Sequence, residues 1–273
     1  MERNLYIFGD YHNIWDAFKA EIIMKNIRNA DIIHVGDGGF GMHTRKPTLE
    51  RLGKQNDFLR DRGIIWYNIR GNHDNPNWFL SKNALVKFLK TEDDNTPHFM
   101  RQDYHYLMNH VPPKKYADTV RGYTNIKFIP DYTVLNLRGY NILCIGGAIT
   151  VDRLMRVKGR DYFPNEPLAY LPNKLQKLKD INIVVTHTKP AFVPPTRIKG
   201  GVVDNFKKID NKLMGDLEEE RQIMSIIYGD IVNHNKIDKW FYGHFHRGNK
   251  FTHKAYNDIE FRCIEPNKGY CLI

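Results

Sequence analysis

The sequence predicts an α/β fold: a parallel sheet with crossover helices, then a second sheet. Three features of the 273 residues predict it. Short apolar runs alternate with helix-patterned segments in the N-terminal part. These runs end in glycine followed by a polar residue. After a more polar middle, apolar runs ending in polar residues return. Strand, helix, strand, helix, strand is the signature of parallel pairing through crossover helices.

In chain order, residues 5–8 form the first strand-like run and end at Gly9-Asp10. Residues 14–28 carry Ile14, Phe18, Ile22 and Ile23 at helical spacing. Residues 32–35 form the second strand and end at Gly36-Asp37. Pro47 opens a helix to about residue 60, because proline is tolerated in a first helical turn. Residues 64–69 form a third strand that runs into Gly71-Asn72-His73-Asp74. Residues 91–125 are polar and irregular, with His98, His105, His110 and Pro112-Pro113, and read as an insertion or lid. Tyr104, Tyr106 and Tyr116 in that stretch suit either stacking on a base or packing of a lid.

Residues 132–137 and 141–145 flank Arg138-Gly139-Tyr140 and read as a hairpin that starts the second sheet. Residues 181–185 form a strand ending at Thr186-His187. A proline-rich loop follows, then a helix over about 214–231, then a strand at 239–242 ending in Gly243-His244-Phe245-His246. Residues 251–253 and 259–263 form a last hairpin. There is no internal repeat, low-complexity tract or linker, so the expectation is one domain over 1–273.

Hydrophobic residues are 41% and charged residues 26% of the chain, which excludes a disordered protein. No apolar run approaches the roughly 20 residues that span a bilayer, and the N-terminus lacks a signal-peptide core. A cytoplasmic protein with no membrane partner is expected. Cys144, Cys263 and Cys271 are few and odd in number, and read as reduced core thiols. The net charge of +10 suits phosphate-bearing partners, nucleotide or nucleic acid included. The cations are scattered without a basic block, which a lysine-rich solvated surface explains equally.

Five polar motifs follow directly on five apolar runs: Gly9-Asp10-Tyr11-His12, Gly36-Asp37-Gly38-Gly39, Gly71-Asn72-His73-Asp74, Thr186-His187 and Gly243-His244-Phe245-His246. In open α/β sheets ligands bind beyond the carboxyl ends of the strands, so the fold would gather all five at one edge. Carboxylate, imidazole and amide oxygen are the donors a pair of divalent ions needs. Asp10 and His12 are two apart, and so are His244 and His246. An extended backbone would point each pair to one side unless the turn parts them. Asp37 is the natural bridge. Two ions held this way clamp both the attacking and the leaving oxygen of an in-line displacement and acidify a water into the nucleophile. Each motif alone is weak; the set in this order is specific.

These residues resemble the defining motifs of the calcineurin-like metallophosphoesterases, over roughly residues 4–265. The resemblance implies a four-layer α-β-β-α sandwich with two mixed β-sheets. It implies two divalent ions, with Mn favoured and Fe, Zn, Ni, Co or Mg compatible. Asp10, His12 and His246 would hold one ion, Asn72, His187 and His244 the other, and Asp37 would bridge. His73 would protonate the leaving alkoxide or steady the transition state. In the family's Ser/Thr protein phosphatases an Asp-Arg pair follows the bridging aspartate, orienting the histidine and gripping phosphate. Gly38-Gly39-Phe40-Gly41 stands here instead, which counts against a protein phosphatase and leaves His73 without its usual partner. Residues 145–153 and 162–166 look like a stretch of a bacterial and phage branch. Arg70, Arg153 and Arg156 are the candidates for the missing phosphate contact.

The expected activity is hydrolysis of a phosphomonoester or phosphodiester, small or nucleotide-like. The alternatives are a nuclease, a protein phosphatase, and a phosphoesterase fold kept as a scaffold.

Overall fold

The computed structural model describes residues 3–41, 47–80, 122–195, 201–252, 254–256 and 258–273. The first half follows the expected alternation: β1 (Asn4–Phe8), α1 (Trp15–Met24), β2 (Ala30–His34), α2 (Pro47–Asp61) and β3 (Ile65–Asn68). Parallel pairing joins β1 to β2 and β2 to β3. Two short strands that the sequence pattern did not announce complete this sheet. β4 (Ile126–Phe128) adds parallel to β3, and β11 (Gly269–Cys271) adds antiparallel to β1. Of the insertion expected over 91–125, residues 91–121 lie outside the described residues.

The second sheet runs β5 (Thr133–Leu137), β6 (Tyr140–Ile145), β7 (Ile183–Thr186), β8 (Lys239–Tyr242), β10 (Glu260–Cys263) and β9 (Asn249–Phe251). Its outer pairs are antiparallel and its centre is parallel. Helices α3 (Pro172–Leu175), α4 (Gly201–Phe206) and α5 (Leu213–Val232) belong to this half.

Strand alternation decides which face each residue serves. Leu5, Ile7, Ile33 and Val35 of the first sheet pack on Ile142, Cys144, Ile183, Val185 and Phe241 of the second, so the two sheets lie face to face. On the outer face of the first sheet, Phe8, Ile32 and Trp66 bury Phe18 and Ile22 of α1 and Leu52 and Leu59 of α2. On the outer face of the second, Leu143, Val184 and Trp240 bury Met224, Ile227 and Ile231 of α5. The result is the four-layer α-β-β-α sandwich with two mixed sheets.

Two local expectations are corrected. The helix expected over 14–28 stops at Met24, where Asn26 and Asn29 turn left-handed (φ 48° and 46°), a conformation asparagine tolerates better than most residues. Ile14 and Ile23 are exposed, and Trp15 takes the buried position instead. Cys144 and Cys263 are buried free thiols as expected, but Cys271 on the edge strand β11 is exposed.

Candidate metal centre

The facing sheets bring the ends of β1, β2, β3, β7 and β8 to one edge, and backbone hydrogen bonds fix the loops there. Tyr11 and His12 donate their N–H groups to the Asp37 carbonyl at 3.1 and 2.7 Å. The His73 N–H donates to Asp37 Oδ1 at 2.7 Å, and the His244 N–H to Asp10 Oδ2 at 2.9 Å. The buried Asp74 carboxylate accepts from the N–H groups of Gly71 (2.8 Å), Asp37 (3.0 Å) and Phe40 (2.8 Å), clasping two of the motifs together. Gly36 needs its glycine: φ is 104°, and a Cβ there would stand 2.5 Å from His187 Nδ1.

Two groups of donor atoms form at this edge, each with its atoms within 4.8 Å of one another. One is Asp10, His12, Asp37 and His246; the other is Asp37, His187 and His244. Asp37 belongs to both. Its Oδ2 lies 3.8 Å from His12 Nε2 and its Oδ1 lies 3.2 Å from His187 Nε2. His246 Nε2 is 3.2 Å from Asp10 Oδ2 and 2.8 Å from His12 Nε2. Asn72 adds its amide oxygen to the second group, with Oδ1 3.1 Å from His187 Nε2. All seven residues expected as ligands are thus together.

The two-apart pairs do not behave alike. Asp10 and His12 serve one group. The turn parts His244 from His246, which go to different groups. His12, His244 and His246 are left-handed (φ 43°, 66° and 52°), as is Asp37 (φ 59°), so the extended geometry does not apply. Strained backbone of this kind concentrates at functional sites.

The donor set fits a pair of divalent cations. Asp10 Oδ1 is buried with no hydrogen-bond partner. The His12 and His246 Nε2 atoms face each other at 2.8 Å, so both imidazoles present a nitrogen at the same point. Burial alone would lower His187, but the Asp37 and Asp10 carboxylates outweigh it and carry the ring up to about 10. Burial also works against the Asp37 carboxylate, yet His187, His73 and His12 hold it well below the usual range. The buried carboxylates therefore draw positive charge to this point. Burial, aided by His187, pushes His244 down to about 3, leaving a neutral imidazole suited to ligation. His187 Nδ1 meets the Val35 carbonyl at 2.7 Å, which turns Nε2 toward the site.

His73 sits half-buried beside the first group, its ring centroid 4.7 Å from that of His12. Burial lowers its pKa, and Arg156 adds to that effect against Asp37. Arg156 Nη1 lies 3.2 Å from His73 Nδ1 and Nη2 lies 3.5 Å from Nε2. The guanidinium is aimed by Asp152, which accepts from Nε at 2.6 Å, and by the Asp161 carbonyl.

The other two candidate arginines are corrected. Arg70 is 5% exposed, and its donors are taken by Asp131 and by the carbonyls of Asn165, Glu166 and Pro167, leaving none for phosphate. Arg153 points to Asp210 (2.6 Å) and Asp216 (2.5 Å), pinning the 3-10 turn Arg153–Met155 to the start of α5. Sequence reasoning also missed Thr150 and Glu166, which are buried behind Asn72. A threonine closing the run after β6 and a glutamate among prolines carry no distinctive signal. In the sequence Asp74 stands only as the last residue of the Gly71-Asn72-His73-Asp74 motif, with nothing local to mark its clasp.

The chain belongs to the calcineurin-like phosphoesterases, whose sequence model matches residues 3–248. It is a metal-dependent phosphoesterase, a hydrolase with a dinuclear divalent-metal site. No curated protein sequence matches the chain. The crystal structure of a dimetal phosphatase from Danio rerio is a distant likeness: TM-score 0.42 and 12% identity, over 97% of this chain and 88% of that one.

Proposed function

We propose that the chain hydrolyses a small or nucleotide-like phosphomonoester or phosphodiester as one catalytic domain over 1–273. Asp10, His12 and His246 would hold one ion and Asn72, His187 and His244 the other, with Asp37 offering an oxygen to each group. The observation that carries this reading is the Asp37 carboxylate, with one oxygen facing each histidine group. When bound, the ions, with Mn favoured, supply a nucleophile drawn from water at neutral pH and neutralise phosphate charge.

The protein's own groups do the rest. His73 donates a proton to the leaving oxygen, and Arg156, whose guanidinium faces both ring nitrogens, holds the ring beside the centre. Arg156 takes the phosphate contact left open by the missing Asp-Arg pair, since Asp152 and the Asp161 carbonyl orient it from behind. Among the described residues no helix is long and apolar enough to cross a membrane.

The test is metal-dependent turnover. Chelator-stripped protein, restored with Mn²⁺, is assayed on an aryl phosphate monoester and the matching bis-aryl diester. Turnover of either ester that returns only with metal is expected, and the ratio separates phosphatase from phosphodiesterase. A wild-type protein that takes up no metal would overturn the reading. The net charge of +10 favours nucleic acid as a second substrate class. That reading requires binding that weakens steeply with salt as counterions are released.

A further inference from the structure

We infer that Thr150 and Glu166 are positioning residues for Asn72, fixing which end of its side-chain amide faces the metal centre; this rests on the metal-site reading above. An asparagine amide has an oxygen that ligates a cation and an NH₂ that repels one, and a half-turn about its last torsion exchanges them. Something must hold the oxygen inward. In this structure Asn72 Nδ2 donates to Thr150 Oγ1 at 3.1 Å, while Oδ1 faces His187 Nε2 at 3.1 Å. Thr150 Oγ1 also lies 3.5 Å from the Asn72 carbonyl.

The Thr150 hydroxyl accepts from Asn72, and its own proton lies within reach of the Asn72 carbonyl. The Glu166 carboxylate holds Thr150 in place through the Thr150 backbone N–H. That carboxylate is itself fixed by the N–H groups of Thr150 (2.8 Å) and Phe163 (3.4 Å). Behind it, Arg70 donates to the Glu166 carbonyl and pairs with Asp131, whose other oxygen accepts from the Gly146 N–H at 2.9 Å. The chain from Arg70 through Glu166 and Thr150 to Asn72 is buried throughout. This also gives Arg70 its place: it supports the centre from behind and does not touch substrate.

The test uses the full chain, stripped of metal, with Mn²⁺ alone as the probe, titrated by calorimetry and counted by elemental analysis. It is run at pH 8, above the value of about 7 to which burial lifts Glu166. Thr150→Val keeps the shape and removes the hydroxyl. The expected result is one of two ions bound roughly 10- to 100-fold more weakly, the usual effect of losing a residue that orients a ligand. Thr150→Ser should restore it. In an Asn72→Ala background Thr150→Val should add nothing, because a residue acting only through Asn72 has no effect once Asn72 is gone. A merely structural threonine would show the same loss in both backgrounds and would overturn the inference. So would a Thr150→Val protein that binds both ions as tightly as wild type. If Thr150→Val does not fold, Glu166→Gln carries the same comparison. A wild-type chain that binds no Mn²⁺ would instead sink the underlying site reading, and is read separately from the variants.

Discussion

The two halves of the metal centre differ in how they are held. Around Asn72 and His187 the protein is closed, with His244 partly buried beside them. His187 is 0% exposed, bonded through Nδ1 to Val35, and Asn72 is backed by Thr150 and Glu166. Around His12 and His246 it is open, the two side chains 28% and 49% exposed above a buried Asp10. The closed half lies between the two sheets, where every polar group must be partnered and geometry is fixed by several bonds at once. The open half has solvent on one side of its two exposed histidines. This contrast suits a centre in which one ion is structural in its rigidity and the other is placed for exchange with water and substrate. His73 and Arg156 stand on the open side, beside His12.

The largest effect should come from removing what the halves share. Asp37→Asn takes a buried charge from both groups at once. Turnover should fall to background and elemental analysis should find neither ion retained. If one ion stayed bound at full affinity, the bridge would be misassigned and the halves would be independent. The next largest is His73→Ala. Both ions should remain while kcat drops about 10²–10⁴-fold, the range for a lost proton donor. Loss of metal in that variant would move His73 from the chemistry into the ligand set. Smaller still is Arg156→Ala, which removes one charge-assisted contact to phosphate. A fall of roughly 10- to 100-fold in kcat/KM is expected, with metal content unchanged. Arg153→Ala, by contrast, should lose stability and leave KM alone, since Arg153 faces Asp210 and Asp216.

The same contrast separates what the sequence made legible from what it did not. The open half was readable because its residues lie in short motifs next to glycine. Asn72 and His244 were readable for the same reason, and His187 because it follows directly on an apolar run. Their support was not: Thr150 and Glu166 reach Asn72 across 78 and more residues of chain, and nothing local marks that approach. Arg70 illustrates the difficulty. A strand-end arginine beside Asn72 reads as a phosphate ligand until the fold delivers Asp131 and three carbonyls to it. In the fold, long strands and helices with strong periodicity were placed well. β4 and β11, three residues each, carry too little pattern to be seen, and owe their pairing to the edges of a sheet already formed.

The smallest effect tests the charge demand of the closed half directly. In metal-free protein the His187 ring rises from its ordinary 6.5 to about 10. A base whose folded pKa is raised contributes stability that is complete below 6.5 and lost as pH climbs through 10. Lys189, which burial lowers to about 7, works the other way over the same window, gaining stability as pH rises. It does so with or without metal, so the difference between the two forms reports the site histidines: His187, and His246, which its hydrogen bond to Asp10 raises in the same direction. Loaded with Mn²⁺, the site already uses neutral imidazole and has no proton to lose there. The Tm gained on adding Mn²⁺ should therefore widen by a few degrees between pH 7.5 and 9.5, read by calorimetry. In a His187→Asn variant the widening should shrink to what His246 contributes. If the gain were flat with pH in the wild type, the positive charge that the buried carboxylates demand would have to come from somewhere other than His187.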